Sequence, residues 1–191
     1  DRLHAAIARV GSPACVGLDP VVEKLPESLR RGPGNRPIGA ADAIEAFCLA
    51  VIDAVADSVA IVKPQSACFE RYGQSGLGVL RKVIQAARAR GMVVILDAKR
   101  GDIGATAEHY AAAVFGPASA AGSERPTFAA DAVTLSGYMG MDTIEPFLAH
   151  DACGGAFVLV RTSNPGSDAV QALKLADGRT VAEMLADHVA E

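Results

Sequence analysis

The run VVILDAKRGDIGAT, Val93 to Thr106, carries the most information in this chain. Its first half is a β-branched and apolar series, Val93, Val94, Ile95 and Leu96, that reads as a buried strand. The series ends abruptly in Asp97 and Lys99. Strand side chains alternate, so Asp97 and Lys99 are expected on one face and Ala98 on the other, with a carboxylate and an ammonium sharing one small space. Gly101 permits a tight exit. A helix is expected from Asp102 to near Phe115, with Asp102 and Thr106, four apart, on one of its faces. A salt bridge at a strand end would account for a single Asp and Lys. A Lys flanked by two Asp after an apolar strand is costly unless the charges are used, so the D-x-K-x-x-D spacing marks a candidate site.

Strands and helices alternate on both sides of this run. Leu3 to Val10 reads as the end of a helix, and Ala14 to Leu18 as a short strand closing on Asp19-Pro20. Pro26, Gly32, Pro33, Gly34 and Pro37 mark a long loop. Between Ala40 and Asp57 the apolar residues Ile44, Phe47, Cys48, Val51, Ile52 and Val55 recur at helical spacing. Ser58 to Val62 is a strand, and Pro64 is expected to end it and leave Lys63 at its carboxyl end. Gly73 to Arg90 is a helix with Leu77, Leu80, Ile84 and Ala87 on one stripe and Gly91 as its cap. The small-residue stretch Gly116 to Pro126 reads as an exposed loop. Ala130 to Leu135 is a fourth strand, leading into SGYMGMD, where Asp142 and Glu145 resemble a capping box for a helix through Leu148. Gly155 to Val160 is a fifth strand, followed by Arg161-Thr162-Ser163-Asn164-Pro165-Gly166. Thr180 and Glu183 form another capping box, opening a helix with Val181, Met184, Leu185 and Val189 on one face.

This alternation implies an α/β chain with a parallel sheet and right-handed crossovers. Polar residues close several successive strands: Asp19, Lys63, Asp97 with Lys99, and Ser163. In a (β/α)8 TIM barrel such ends converge on one mouth, whereas a doubly wound sheet would gather them at one crevice. No G-x-G-x-x-G or Walker pattern follows the first strand, so a barrel is the expected fold. Residues 1–191 are expected to form a single barrel domain. About five strands are legible where a full barrel has eight in about 250 residues. The chain is therefore expected to hold the N-terminal two thirds of the barrel, incomplete at its C-terminal end.

The chain has 191 residues, half of them hydrophobic, which suffices for a substantial core. A net charge of −4 and the lack of a basic stripe argue against a nucleic-acid binder. No apolar run reaches membrane-spanning length, and the opening DRLHAAIARV lacks the apolar core of a signal peptide. A cytoplasmic protein without nucleic-acid or membrane partners is expected. Cys15, Cys48, Cys68 and Cys153 are scattered without a C-x-x-C pair, so buried free thiols are expected rather than a zinc site or a disulfide framework. His4, His150 and His188 are expected at the surface.

DAKRGDIGAT resembles the signature of the orotidine 5′-phosphate decarboxylase family, specifically the longer of its two bacterial branches. The GLDP segment at Gly17 to Pro20 and the segment KPQSACFERYG at Lys63 to Gly73 resemble further parts of that family, and the resemblance covers nearly the whole chain. It implies conversion of orotidine 5′-phosphate to uridine 5′-phosphate in de novo pyrimidine biosynthesis, on a barrel, with no metal and no organic cofactor. It also implies residue roles. Lys99, held between Asp97 and Asp102, would stabilise the ring carbanion and donate its proton, and Lys63 would extend the charged array. Asp19 and Lys63 would meet the ribose, and Ser163 the pyrimidine edge. Asp102 and Thr106 would reach into the neighbouring subunit's site, which implies a homodimer with shared active sites acting on a nucleoside monophosphate. Where related proteins of this branch often carry Asn-Pro before Tyr-Met-Gly, this chain has Ser136-Gly137.

Two rivals stand beside this expectation. One is a magnesium-dependent sugar-phosphate decarboxylase or aldolase of the same superfamily, which needs carboxylates around a hard cation. Those relatives place an acidic residue at the end of the second strand, where this chain has Lys63. The other is a catalytically silent fragment that keeps the first half of the fold.

Overall fold

The structure is a computed structural model that describes residues 2–116, 128–150 and 152–191. Five strands, β1 (Cys15–Leu18), β2 (Ile61–Pro64), β3 (Val93–Arg100), β4 (Ala132–Ser136) and β5 (Ala156–Leu159), lie side by side in the order of the sequence. Every neighbouring pair is parallel. A doubly wound sheet reverses its strand order at a switch point. This one never reverses, so it winds in one direction as a barrel wall does.

Residue alternation gives the sheet two apolar faces. Val62, Val94, Leu96, Val133 and Leu135 pack outward against α2 (Ala40–Val55), α4 (Gly73–Ala89), α5 (Gly104–Phe115) and α6 (Glu145–Leu148), in one cluster with Ile44, Ile52, Leu80, Ile84 and Phe147. Truncating one such fully buried leucine or isoleucine to alanine costs about 2–5 kcal/mol. The inner face carries Ile61, Val93, Ile95 and Ala132, on which Ala6 of α1 (Arg2–Val10) packs. Asp131 fixes that helix from the sheet side, since its carboxylate accepts the Val94 N–H at 2.8 Å and pairs with Arg2. Helix α1 thereby packs against the amino end of the inner face.

Several local expectations shift. β2 begins at Ile61, later than expected, and runs through Pro64 rather than stopping before it. Proline's missing N–H falls on the last ladder residue, and the Gln65 N–H resumes the ladder by donating to Leu18 O at 3.0 Å. A short helix, α3 (Ser66–Glu70), follows without advance signal. Helix α5 starts at Gly104, so Asp102 precedes it instead of sharing a face with Thr106. Asp142 caps nothing: a 3-10 turn spans Met141–Thr143, and Thr143 Oγ1 donates to Gly140 O at 2.7 Å. Thr180 and Glu183 do form the expected capping box at α8 (Val181–Ala190). Gly91 ends α4 at φ +74°, where a side chain would be strained. Within the expected loop, Gly116 is buried and residues 117–126 lie outside the described ones. All four cysteines are free, but only Cys48 is buried; Cys15 is exposed. His150 is half-buried against Phe115, at 5.8 Å between ring centroids, rather than free at the surface.

Candidate active site

Asp97 is the centre of the candidate site. Its parity with Val93 and Ile95 turns it to the inner face, and only 6% of its side chain is exposed. Lys63 Nζ reaches Asp97 Oδ2 from β2 at 2.5 Å, and Lys99 Nζ reaches Oδ1 at 2.6 Å. Gln65 Nε2 donates to Oδ2 at 3.1 Å and Thr134 Oγ1 to Oδ1 at 2.9 Å. A buried carboxylate is thus fully occupied by four donors, two of them charged. Burial works to raise the Asp97 pKa, but the hydrogen bonds from Lys63, Lys99 and Thr134 and the charge of Lys63 override it and hold the carboxyl at about 2. Burial works to lower the Lys63 pKa, and the hydrogen bond and charge of Asp97, with the charge of Asp19, outweigh it and raise it.

The proximity of Asp97 and Lys99 does not come from simple strand alternation. β3 and β4 pair Leu96 with Val133 and then Arg100 with Leu135, so Asp97, Ala98 and Lys99 together face Thr134 alone. This is a β-bulge, and Lys99 takes φ +49° within it. Beyond the bulge, Arg100 pairs with Glu70 of α3, which also accepts from Ser66 Oγ at 2.5 Å, and the guanidinium lies 5.3 Å from the Tyr110 ring centroid. The chain is gripped on both sides of Lys99.

The other expected residues stand farther out. Asp19 follows β1 directly, is exposed, and is close enough for its charge to act on Lys63. Thr106 is exposed in the first turn of α5. Asp102 is half-buried and accepts the Ile103 N–H at 2.9 Å; among the described residues it forms no ion pair with Lys99. Ser163 is exposed beyond β5, and among the described residues no hydrogen bond joins it to Asp97. Gln65 and Thr134 were not singled out by sequence. Both carried a weak signal, as polar residues at inward parity beside apolar ones. A cleft of about 620 Å³ opens at the opposite end of the inner face against Ile61, Val93, Ile95 and Phe157. Its walls are largely apolar, and its one carboxylate, Asp131, is engaged by Arg2 and Arg88.

A singly wound parallel sheet with lysines and a carboxylate gathered where its strands end defines a protein of the β/α-barrel class. A family profile described as "Orotidine 5'-phosphate decarboxylase / HUMPS family" matches residues 12–191. The chain is 45% identical over 195 residues to the orotidine 5'-phosphate decarboxylase of Rhodopirellula baltica, covering 100% of this chain and 63% of that protein. It superposes on the crystal structure of a putative orotidine 5'-phosphate decarboxylase from Streptomyces avermitilis with a TM-score of 0.81 and 39% identity, covering 99% of this chain and 62% of that one. The Toxoplasma gondii protein described as a putative orotidine-monophosphate-decarboxylase matches with a TM-score of 0.80 and 36% identity, over 97% of this chain and 56% of that one. The chain belongs to the orotidine 5'-phosphate decarboxylase / HUMPS family. It spans less than two thirds of the length of these relatives, and its five strands are part of a (β/α)8 barrel.

Proposed function

We propose that this chain carries the catalytic cluster of a metal-independent carboxy-lyase that converts orotidine 5′-phosphate to uridine 5′-phosphate in pyrimidine biosynthesis. The observation that carries the proposal is one buried carboxylate, Asp97, held between the ammonium groups of Lys63 and Lys99 at adjacent strand ends. The names of the relatives at 42–45% identity point the same way.

The chemistry needs such an array. The bond from the pyrimidine ring to the carboxylate breaks with its electron pair left on the ring carbon, and carbon dioxide departs. That carbanion has no good place to delocalise its charge, so a fixed cation must already be waiting. Lys99 stabilises the developing anion and passes an Nζ proton to the same carbon, ending as a neutral amine that regains its proton from solvent. Asp97 orients Lys99 and lies beside the departing carboxylate, so that repulsion falls as carbon dioxide leaves. Lys63 and Asp19 meet the ribose, and Ser163 meets the pyrimidine edge. Asp102, which stands apart from Lys99 within one chain, and Thr106 act across the interface of a homodimer, each completing the partner's site. Residues 1–191 then form the N-terminal two thirds of one barrel domain in a cytoplasmic enzyme.

The magnesium-dependent alternative is disfavoured by the same contacts. Both Asp97 oxygens already accept ammonium donors, and the end of β2 offers Lys63 where a cation site would want a carboxylate. The test is the loss of orotidine 5′-phosphate absorbance by the whole protein in excess chelator, with Lys99→Ala as control. Turnover that resists chelator and falls by about 10³-fold or more in Lys99→Ala supports the proposal. Chelator-sensitive turnover, or a Lys99→Ala variant with unchanged rate, overturns it.

A further inference from the structure

We propose that Thr134 is a positioning residue of the Lys99 site, its hydroxyl replacing the ladder partner that the β3 bulge removes and thereby fixing both the backbone and the counter-charge of Lys99. The inference rests on the decarboxylase reading for its kinetic consequences, but its geometric basis is independent of the substrate.

A threonine hydroxyl has one hydrogen to give and two lone pairs to offer. All three are used here. Thr134 Oγ1 accepts the Ala98 N–H at 3.0 Å and the Lys99 N–H at 2.9 Å, and donates to Asp97 Oδ1 at 2.9 Å. The β3–β4 pairing skips from Leu96 to Arg100, so both N–H groups fall where the ladder is interrupted and meet the hydroxyl instead. Left unmet in a half-buried position they would cost the fold and loosen the bulge. Lys99 also sits at φ +49°, a backbone conformation that a β-bulge imposes and that a non-glycine residue holds only when its surroundings enforce it. Thr134 enforces it from β4, and the Arg100–Glu70 pair enforces it from α3.

The third bond links backbone to chemistry. The hydroxyl that fixes the Lys99 main chain also donates to the carboxylate oxygen that Lys99 Nζ contacts at 2.6 Å. One atom therefore sets where the ammonium stem begins and where its counter-charge lies. Thr134 is itself buried and, among the described residues, forms no hydrogen bond with either lysine ammonium, so it acts through Asp97 and the bulge.

The experiment compares Thr134→Val, which keeps the shape and deletes the hydroxyl, with Thr134→Ser, which keeps the hydroxyl, in the whole protein. For orotidine 5′-phosphate, kcat is expected to fall roughly 10²-fold in Thr134→Val while KM moves by less than about 3-fold, the pattern of a misplaced catalytic group. Thr134→Ser is expected within about 3-fold of the parent in kcat. A second readout needs no turnover. The carboxyl 13C resonance of Asp97, followed against pH, should titrate at higher pH in Thr134→Val than in the parent and stay near the parent in Thr134→Ser. Should Thr134→Val fail to fold, Thr134→Ala takes its place in both measurements. A folded hydroxyl-less variant with parental kcat, a serine variant as slow as the valine one, or an unmoved Asp97 titration overturns the inference. If the parent itself does not decarboxylate orotidine 5′-phosphate while the Asp97 titrations separate as expected, the positioning role stands and the decarboxylase reading falls.

Discussion

Replacing Asp97 by Asn keeps the shape of the side chain and removes its charge, so it isolates what the carboxylate contributes to the fold. Asp97 is held at about 2 against an ordinary 3.8. At about 1.4 kcal/mol per tenfold change in proton affinity, the gap corresponds to roughly 2.5 kcal/mol. The ammonium partners are 33% and 46% exposed, and solvent screens them. The expected pH-dependent contribution is accordingly about 1–2 kcal/mol. The folded protein binds the Asp97 proton more weakly than the unfolded chain does. The stabilisation is therefore fully present above about pH 4 and is lost as pH falls from about 4 to about 2. Urea unfolding of parent and Asp97→Asn at neutral pH and at stepwise lower pH measures it, because the other carboxylates titrate alike in both proteins and cancel in the difference. The amide also turns an N–H donor toward one lysine, which adds a penalty of its own that does not vary across this range. The diagnostic quantity is the narrowing of the gap, expected to be about 1–2 kcal/mol between neutral pH and the acid limit. A gap that stays constant with pH would refute the account of Asp97 as the ionised hub of the site.

Two further outcomes are expected. If Asp102 completes the partner's site, mixing Lys99→Ala with Asp102→Ala under subunit exchange should recover about a quarter of parental turnover, since half of the dimers are then mixed and each carries one intact site; recovery of none would count against shared sites. Gly76→Ala should destabilise the fold by more than about 2 kcal/mol in thermal or urea melts, because a Cβ there would fall 1.9 Å from Phe69 O and 3.0 Å from Tyr72 Cβ, where α3 and α4 meet backbone to backbone; a parental melting temperature would show that the two helices can part without cost.

The parts of this molecule that were legible in sequence are those governed by periodicity. The apolar runs at Val93 to Leu96 and Ala132 to Leu135 and the stripes on α2 and α4 each repeat a local rule, and the strands and helices stand where those rules put them, give or take a few residues. Lys63, Asp97 and Lys99 were legible because charge at the end of an apolar run is locally anomalous. What was hidden depends on pairing between strands. The bulge at Asp97 to Lys99 exists only in the register of β3 against β4, and no property of the β3 sequence announces it. Thr134 and Gln65 looked like ordinary strand and turn residues until their neighbours across the sheet were known. The alternation rule put Asp97 and Lys99 together for a reason that does not apply, since a left-handed residue within a bulge, not a regular pleat, brings their side chains to 2.6 Å. Asp102 was placed on the helix because four-residue spacing to Thr106 suits one, but Gly104 at φ +53° marks a start two residues later.

The charge state of the cluster follows from this arrangement. Two ammonium groups surround one carboxylate, and the carboxylate is held at about 2 while Lys63 is shifted upward. Neither Asp97 nor Lys63 is moved toward neutral pH, so their ion pair persists across that range. A site that had to gain or lose a proton before binding would meet its substrate in a mixture of states. An ion pair that keeps its charges presents a constant field, which is what the proposed preorganised stabilisation of a carbanion would require. The cost of that field is desolvation of Asp97, and it is offset by the four donors around the carboxylate rather than by exposure to water. Removing an uncharged donor, Gln65 or Thr134, should therefore disturb the position of Lys99 while leaving the sum of charges unchanged.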